Sequence, residues 1–169
     1  MTLKDLFSFP NPVNEVSARL VAAGVLLMVV LTVSLDQPWL TAVIAYGFLA
    51  RVLTGPKLSP LGLFVTRWLV PALGSPSKPV AGPPKRFAQG MGFVMSATAA
   101  VLALGFGQVG VAYIVLGMIG VAAFLESALA FCIGCKIFAV LMRFGVIPES
   151  VCRECVDIDA RQRRLAARA

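Results

Sequence analysis

Histidine is absent from this 169-residue chain, and acidic side chains are scarce. The absence of histidine excludes histidine-based acid–base catalysis and histidine metal ligands, so any chemistry must use thiols, carboxylates, lysines or tyrosines. Between Val16 and Arg143 the only acids are Asp36 and Glu126. Charged residues make up 14% of the chain and hydrophobic residues 59%, a composition that does not fit a soluble globular domain. No cleavable signal peptide is expected, because no small-residue cleavage site follows the first apolar run.

Four apolar runs predict an all-α membrane protein with four transmembrane helices, since about 20 apolar residues cross ~30 Å of hydrocarbon. We place the spans at about 14–35, 38–54, 86–106 and 109–131. Very short turns at 36–38 and 107–108 join the spans into two hairpins. The predicted organisation is a four-helix transmembrane domain over 1–145 and a cytosolic, cysteine-containing basic tail over 146–169.

Asparagine and proline mark the predicted starts of two spans. Asn11 is a candidate N-cap for the first span, with Pro12 at the first helical position. Pro83 and Pro84 occupy helix-starting positions ahead of the third span. Arg51 interrupts the second span near its end, and its charged head is expected to reach the interface by snorkelling.

The distribution of basic residues predicts the orientation. Segment 51–86, between the second and third spans, carries six lysines or arginines and no acid. Further basic residues lie near the N-terminus and in the tail that ends in "RQRRLAAR", whereas the two short turns contain none. By the positive-inside rule, both termini and the central segment face the cytoplasm, which requires an even number of spans. We therefore predict a multi-pass protein of the inner (plasma) membrane with cytoplasmic N- and C-termini.

Part of the central segment is predicted to form a short amphipathic helix over about 60–70. In "LSPLGLFVTRWLVP", Ser59 can cap the helix, Pro60 can begin it and Pro71 can end it. Apolar residues recur along it at helical spacing, namely Leu61, Phe64, Val65, Trp68 and Leu69. About eleven residues are too few to cross the bilayer, so this helix is expected to lie in the cytoplasmic interface.

All four cysteines lie near the C-terminus, in two Cys-x-x-Cys pairs separated by sixteen residues. Cys132 and Cys135 follow the fourth span in "FCIGCKIF", and Cys152 and Cys155 lie among charges in "VCREC". The predicted topology puts both pairs on the cytoplasmic side, where thiols are kept reduced and structural disulfides are not expected. A metal site, thiol chemistry and plain apolar cysteines remain as interpretations, although the charged surroundings of the second pair argue against the last.

The zinc interpretation rests on spacing. The pattern C-x2-C-x16-C-x2-C falls within the range typical of tetrathiolate zinc sites. Zinc takes four ligands in a closed tetrahedron, which Cys132, Cys135, Cys152 and Cys155 would provide. In this interpretation the protein is a membrane scaffold without catalysis.

The thiol-chemistry interpretation rests on local electrostatics. In "IPESVCREC", Ser150 is a candidate N-cap that puts Cys152 at the second helical position, where the helix N-terminus and a neighbouring arginine stabilise a thiolate. Cys152 is therefore the predicted nucleophile and Cys155 the resolving thiol. Cys132 is expected near a helix C-terminus in apolar surroundings, unless the fourth helix breaks at Gly134.

Glu126 is a carboxylate within the fourth span. Such a residue indicates either a function or a buried polar partner, for which Ser127, Tyr46 and Tyr113 are candidates. On a continuous helix Cys132 lies about 120° around the axis from Glu126, so the carboxylate is not expected to serve that thiol as a base. With the basic segment, Glu126 supports a third interpretation, a transporter of a small sulfur species, for which a path through four spans would require a homo-oligomer.

The basic residues are expected to contact the anionic lipids of the bilayer. Binding of a small sulfur oxyanion and docking of an acidic soluble protein are weaker alternatives. Nucleic acid is not an expected partner, because the arginines lie against a membrane without interleaved aromatic residues.

Three segments carry a family resemblance: "FPNPVNEVSARL" before the first span, "GPPKRFAQGMG" before the third and "CIGCKIF" after the fourth. Over nearly its whole length the chain resembles an actinobacterial membrane-protein family catalogued as domain of unknown function forty-three ninety-five. The resemblance implies an association with thioredoxin-like proteins and rhodanese-type sulfurtransferases, and it implies no catalytic residues.

Together these observations predict a protein of thiol redox chemistry or sulfane-sulfur transfer, acting with thioredoxin-like or rhodanese-like soluble partners through the four cysteines. The zinc scaffold is the alternative, and the transporter comes third. The sequence leaves open whether the protein is an enzyme.

Overall fold

The computed structural model describes residues 9–74, 78–148 and 151, and these residues are mainly helical. Three helices are long and apolar enough to cross a membrane: Glu15–Ser34, Gly82–Gly105 and Val109–Leu129. A further apolar helix, Leu40–Thr54, has 15 residues and is shorter than these three.

The helices and strands follow one another in simple order. They are β1 (Val13–Asn14), α1 (Glu15–Ser34), α2 (Leu40–Thr54), α3 (Pro60–Phe64), α4 (Val70–Ala72), β2 (Pro79–Val80), α5 (Gly82–Ala100), α6 (Val109–Leu129) and α7 (Ile133–Arg143). The π-helical stretch Val65–Leu69 joins α3 to α4, and a second such stretch, Val101–Gly105, extends α5. The prolines ahead of the third predicted span lie in the first turn of α5, as the sequence predicts.

α1 begins later than its predicted cap. The N-cap is Asn14, whose Oδ1 accepts a hydrogen bond from the backbone N–H of Val16 at 3.0 Å. Asn11 instead accepts a hydrogen bond from the backbone N–H of Gly82 at 3.0 Å. The predicted cap at Asn11 is therefore wrong, because β1 pairs antiparallel with β2 and holds the residues after Pro12 in an extended conformation.

The helix after α2 has the predicted cap but a later end. The Ser59 side chain accepts a hydrogen bond from the backbone N–H of Gly62 at 3.2 Å. The helical conformation runs through Pro71 to Ala72, because a proline in the first turn of α4 does not interrupt the chain there. The predicted apolar stripe divides: Val65 is buried, whereas Trp68 is 72% exposed.

Helices that follow each other in the sequence are not each other's main partners. α2 packs most extensively against α5, and α1 packs most extensively against α6. α5 also contacts α6 and α7. The main core consists of Val25, Val29, Ile44, Phe48, Ala99, Ala103, Ala112, Leu116, Ile119 and Ala123. Its small alanines let the helix backbones approach closely.

Long-range polar contacts gather four helix ends at one end of the bundle, which we call the basic end. Arg19, near the start of α1, donates to the Ser127 carbonyl through Nε at 3.1 Å and Nη2 at 3.0 Å. Arg86, near the start of α5, donates from Nε to the Val52 carbonyl at 3.0 Å. Lys85, at the start of α5, also pairs with Glu126 near the end of α6, so the start of α1, the end of α2, the start of α5 and the end of α6 lie together.

The two short connections lie at the opposite end. The Tyr113 hydroxyl, near the start of α6, donates to Asp36 Oδ1 at 2.8 Å, just beyond the end of α1. In the same connection Trp39 Nε1 donates to Gln37 Oε1 at 3.0 Å. Gly107, between the extension of α5 and α6, has φ +66° and turns the chain where a side chain would be strained.

Candidate functional site

The helix containing Glu126 breaks immediately before the first cysteine pair. α6 ends at Leu129, and Ala130 adopts the left-handed conformation with φ 54° and ψ 24°. Cys132 is extended and serves as the N-cap of α7. Cys132 thus lies at a helix N-terminus, because the chain breaks ahead of it rather than at Gly134. The predicted position near the C-terminus of a continuous helix is wrong.

The local sequence has neither glycine nor proline between Leu129 and Cys132, and after the break α7 packs closely on α5. A Cβ at Gly134 would lie 2.6 Å from Cβ of Ala88 in α5, so the two backbones touch at this position. One turn further along α7, the rings of Phe138 and Phe87 pack with centroids 5.6 Å apart. α7 follows the surface of α5 and cannot continue the axis of α6.

Cys132 and Cys135 form a disulfide with their Cα atoms 5.2 Å apart. The backbone N–H of Cys135 also donates to Cys132 Sγ at 3.3 Å. Cys132 is only 8% exposed, whereas Cys135 is partly exposed. Reduced thiols were expected on the cytoplasmic side, whereas the structure joins these two cysteines. They lie on one helical turn, and their Cα separation is in the range found for disulfides. The N-terminal charge of α7 would stabilise a thiolate at Cys132.

The second cysteine pair lies outside the described residues. The predicted nucleophile Cys152, its resolving partner Cys155 and the candidate cap Ser150 thus remain predictions. Val151, which precedes Cys152 in the sequence, lines a surface cavity together with Phe87 and Phe138.

The zinc interpretation depends on that second pair. Within 9–74, 78–148 and 151, no group of three or more cysteine, aspartate or glutamate side chains could hold a metal ion. A four-thiolate site would need Cys132 and Cys135 in the reduced form as well, because the thiolate is the form that binds metal.

Cys132 lines a cavity of about 250 Å³ enclosed by α1, α2, α5, α6 and the start of α7, which we call the thiol cavity. Most of the lining is apolar. Gln89 and Glu126 also line this cavity. The sequence argument separated Glu126 from Cys132 by assuming one continuous helix, and the break after α6 removes that assumption.

Glu126 forms an ion pair with Lys85, from the first turns of α5. The two side chains are 17% and 12% exposed, so the pair is largely removed from solvent. The predicted partners bond elsewhere: Ser127 Oγ donates to the Phe124 carbonyl, Tyr46 to the Leu58 carbonyl and Tyr113 to Asp36. That prediction is wrong. The sequence did contain a feature that indicates the correct type of partner. An isolated acid within an apolar helix, in a chain rich in basic residues, favours pairing with a lysine or an arginine.

A second cavity, of about 210 Å³, lies beside the first at the basic end, and we call it the cationic cavity. Arg51 and Lys85 both line it, and none of the described residues in its wall is acidic. Val21 and Gln89 line both cavities.

Arg51 is buried at 6% exposure, so the expected snorkelling to the interface is wrong. Its Nε donates to Gln89 Oε1 at 2.8 Å, and its Nη1 donates to Ser59 Oγ at 3.2 Å. The guanidinium also lies 4.6 Å from the centroid of the Phe48 ring. These contacts join α2 to α5 and to the cap of α3.

Comparison with curated proteins and with solved structures finds no match to this chain. A family model does match, over residues 13–143, which include every described helix and the first cysteine pair but not the second. The match confirms the family resemblance drawn from the sequence. The chain belongs to the family described as Domain of unknown function (DUF4395).

Proposed function

We propose that this protein exchanges electrons or sulfane sulfur with soluble thiol proteins at the cytoplasmic face of the inner membrane, through Cys132 and Cys135 and with the second pair in its tail. The single observation that carries the proposal is the first cysteine pair. One sulfur is buried at a helix N-terminus and the other is partly exposed, in a disulfide that a partner can approach from one side.

The proposal includes a four-span topology in which α2 also crosses the membrane. At 1.5 Å per residue its 15 residues extend about 22 Å, so the bilayer would thin locally around it. The gathering of basic residues at one end and of the short turns at the other supports two hairpins with both termini cytoplasmic. The exposed Trp68 and Phe64 support an interfacial position for α3 and the π-helical stretch after it.

The asymmetry of the pair determines the direction of attack. A partner's thiolate attacks Sγ of Cys135, the more accessible sulfur, and the Cys132–Cys135 bond breaks. Cys132 leaves as a thiolate, stabilised by the N–H of Cys135 and by the N-terminus of α7. The partner's second thiol, as its thiolate, then attacks the mixed disulfide. The partner leaves oxidised, and the protein holds a dithiol that has gained two electrons.

In the sulfur-transfer form of the proposal, the thiolate of Cys135 attacks the outer sulfur of a partner's persulfide. The partner leaves as a thiolate, and Cys135 carries the persulfide. The thioredoxin-like or rhodanese-like nature of the partners follows from the family resemblance, and the nucleophilic role of Cys152 remains a prediction from the sequence.

Trapping tests the proposed attack. Full-length protein in lipid nanodiscs is reduced, exposed to glutathione disulfide and mapped by peptide mass spectrometry, which separates the two pairs. In Cys132→Ser, Cys135 should hold a persistent mixed disulfide with glutathione, because its resolving thiol is gone. In Cys135→Ser, Cys132 should react at least about tenfold more slowly, because it is buried. Equal trapping at both positions, or none at Cys135, would refute the mechanism.

Metal analysis separates the proposal from the zinc scaffold. The reduced protein should bind no stoichiometric zinc. One zinc per chain that is lost in Cys152→Ser would replace thiol exchange with the scaffold interpretation.

A further inference from the structure

We infer that the cationic cavity is a binding site for a small oxyanion of the sulfate, thiosulfate or phosphate type. The inference concerns binding at Arg51 and Lys85. It does not depend on the thiol chemistry, and its test does not involve a cysteine.

The first argument is the incompletely compensated charge of Arg51. The residue is only 6% exposed, yet no carboxylate of the described ranges lies within salt-bridge distance of it. Its direct contacts are two neutral oxygens, on Gln89 and Ser59, and an aromatic ring. Glu126 attracts it only from beyond salt-bridge distance and is already paired with Lys85, so a bound anion would compensate the remaining positive charge.

The second argument is the set of hydrogen-bond donors left over. Nη2 of Arg51 makes no hydrogen bond to the described part of the protein. Because Oε1 of Gln89 accepts from Arg51, the amide nitrogen of that side chain is the group left to donate, and it too has no acceptor among the described residues. Both side chains line the cavity, although Gln89 also lines the thiol cavity, and we infer that these N–H groups bind an acceptor that enters the cationic cavity.

The third argument is the charge balance of the cavity wall. Lys85 adds a second cation, and its carboxylate partner, Glu126, lines the thiol cavity instead. The three charged groups together carry one net positive charge. A volume of about 210 Å³ holds one tetrahedral oxyanion, and a guanidinium binds such an ion through two parallel N–H groups.

The cationic cavity and the thiol cavity share part of their lining. Val21 and Gln89 separate the cationic cavity from the thiol cavity, and the Lys85–Glu126 pair bridges the two. An oxyanion at Arg51 competes with Glu126 for Lys85. Binding in one cavity would therefore change the electrostatics of the other.

Oxyanions reach a membrane protein from two sources, the cytosol and the phosphate of an anionic lipid headgroup. The test uses the full-length protein in nanodiscs of phosphatidylcholine, and the thermal unfolding midpoint is followed as sodium thiosulfate, sulfate or phosphate is added. A saturable rise is expected that sodium chloride at the same ionic strength does not reproduce. Nanodiscs with phosphatidylglycerol form the second arm. Weaker apparent affinity for the free ions there identifies the headgroup as an occupant, and unchanged affinity identifies the free ion.

The decisive variant exchanges the ion pair. Lys85→Glu with Glu126→Lys keeps a pair of opposite charges but places a carboxylate in the wall of the cationic cavity. The affinity for the oxyanion should fall at least about tenfold, since one charged contact is lost and a repulsive one is added. If the exchange variant fails to fold, Arg51→Lys takes its place in the test. It keeps the positive charge but loses the planar guanidinium donors, so the affinity for the oxyanion should also fall.

Arg67→Gln is the matched control, because it removes one exposed cation outside the cavity. Its oxyanion affinity should equal that of the unaltered protein. The absence of a saturable response to all of these oxyanions would overturn the inference. A response that the exchange variant and Arg51→Lys both retain in full would also overturn it.

Discussion

The two ends of the bundle differ in how far their polar partners are separated along the chain. At the basic end, Arg19 bonds a carbonyl 108 residues away and Lys85 pairs with an acid 41 residues away. At the opposite end, Gln37 bonds a residue two positions away, and one long-range contact, from Tyr113, joins two helices. The basic end thus joins segments that are far apart in the sequence and contains the cationic cavity, whereas most contacts of the opposite end lie within two short turns.

The strongest test of this comparison removes one partner of the buried pair at the basic end. Lys85→Met leaves Glu126 without its cation, and we expect the free energy of unfolding to fall by about 3–5 kcal/mol. Chemical unfolding of the full chain in mild detergent measures the change. The double variant Lys85→Met with Glu126→Met should recover most of the loss, since it leaves no uncompensated charge. A single variant as stable as the original would contradict the importance of the pair.

A second test addresses the contact that positions the cysteine pair. Gly134→Ala places a methyl group against Ala88, so α7 must move away from α5, and we expect a loss of about 1–3 kcal/mol. Gly90→Ala is the matched control, because a Cβ there meets nothing within 4 Å. It should gain about 0.5–1 kcal/mol from the lower chain entropy of alanine. If the two variants change stability alike, the close approach of α5 and α7 is not what orients α7.

The smallest effect is expected at the opposite end. Tyr113→Phe removes the hydrogen bond to the exposed carboxylate of Asp36, and stability should fall by less than about 1 kcal/mol. Tyr46→Phe, which removes an exposed contact of 3.4 Å within the α2–α3 region, should change less still. A loss at Tyr113 as large as that for Lys85→Met would show that both ends organise the bundle equally.

Much of the architecture follows from local features of the sequence. The apolar runs predict the three long helices and the shorter α2, and Ser59 and the proline pair in the first turn of α5 mark helix starts that the structure confirms. These predictions succeed because hydrophobicity, capping and proline geometry act over a few residues. The family membership was likewise recognisable from short segments.

The site is a different case. The cysteine spacing drew attention to the correct region, but the sequence could not show that the helix breaks after Leu129. After the break, α7 packs on α5 through Gly134 and Ala88, two residues 46 positions apart in the sequence. The helix-wheel argument assumed a single axis for Glu126 and Cys132, and the break removes that assumption.

The sequence by itself determined the apolar character of the long helices and the segment that carries the first cysteine pair, because each depends on composition within one segment. Only the tertiary structure decided that α2 pairs with α5 and α1 with α6, that Lys85 is the partner of Glu126, and that Arg51 is buried. Helices of similar hydrophobicity choose partners by the fit of their surfaces and by matching a few buried polar groups, and both depend on residues far apart in the chain.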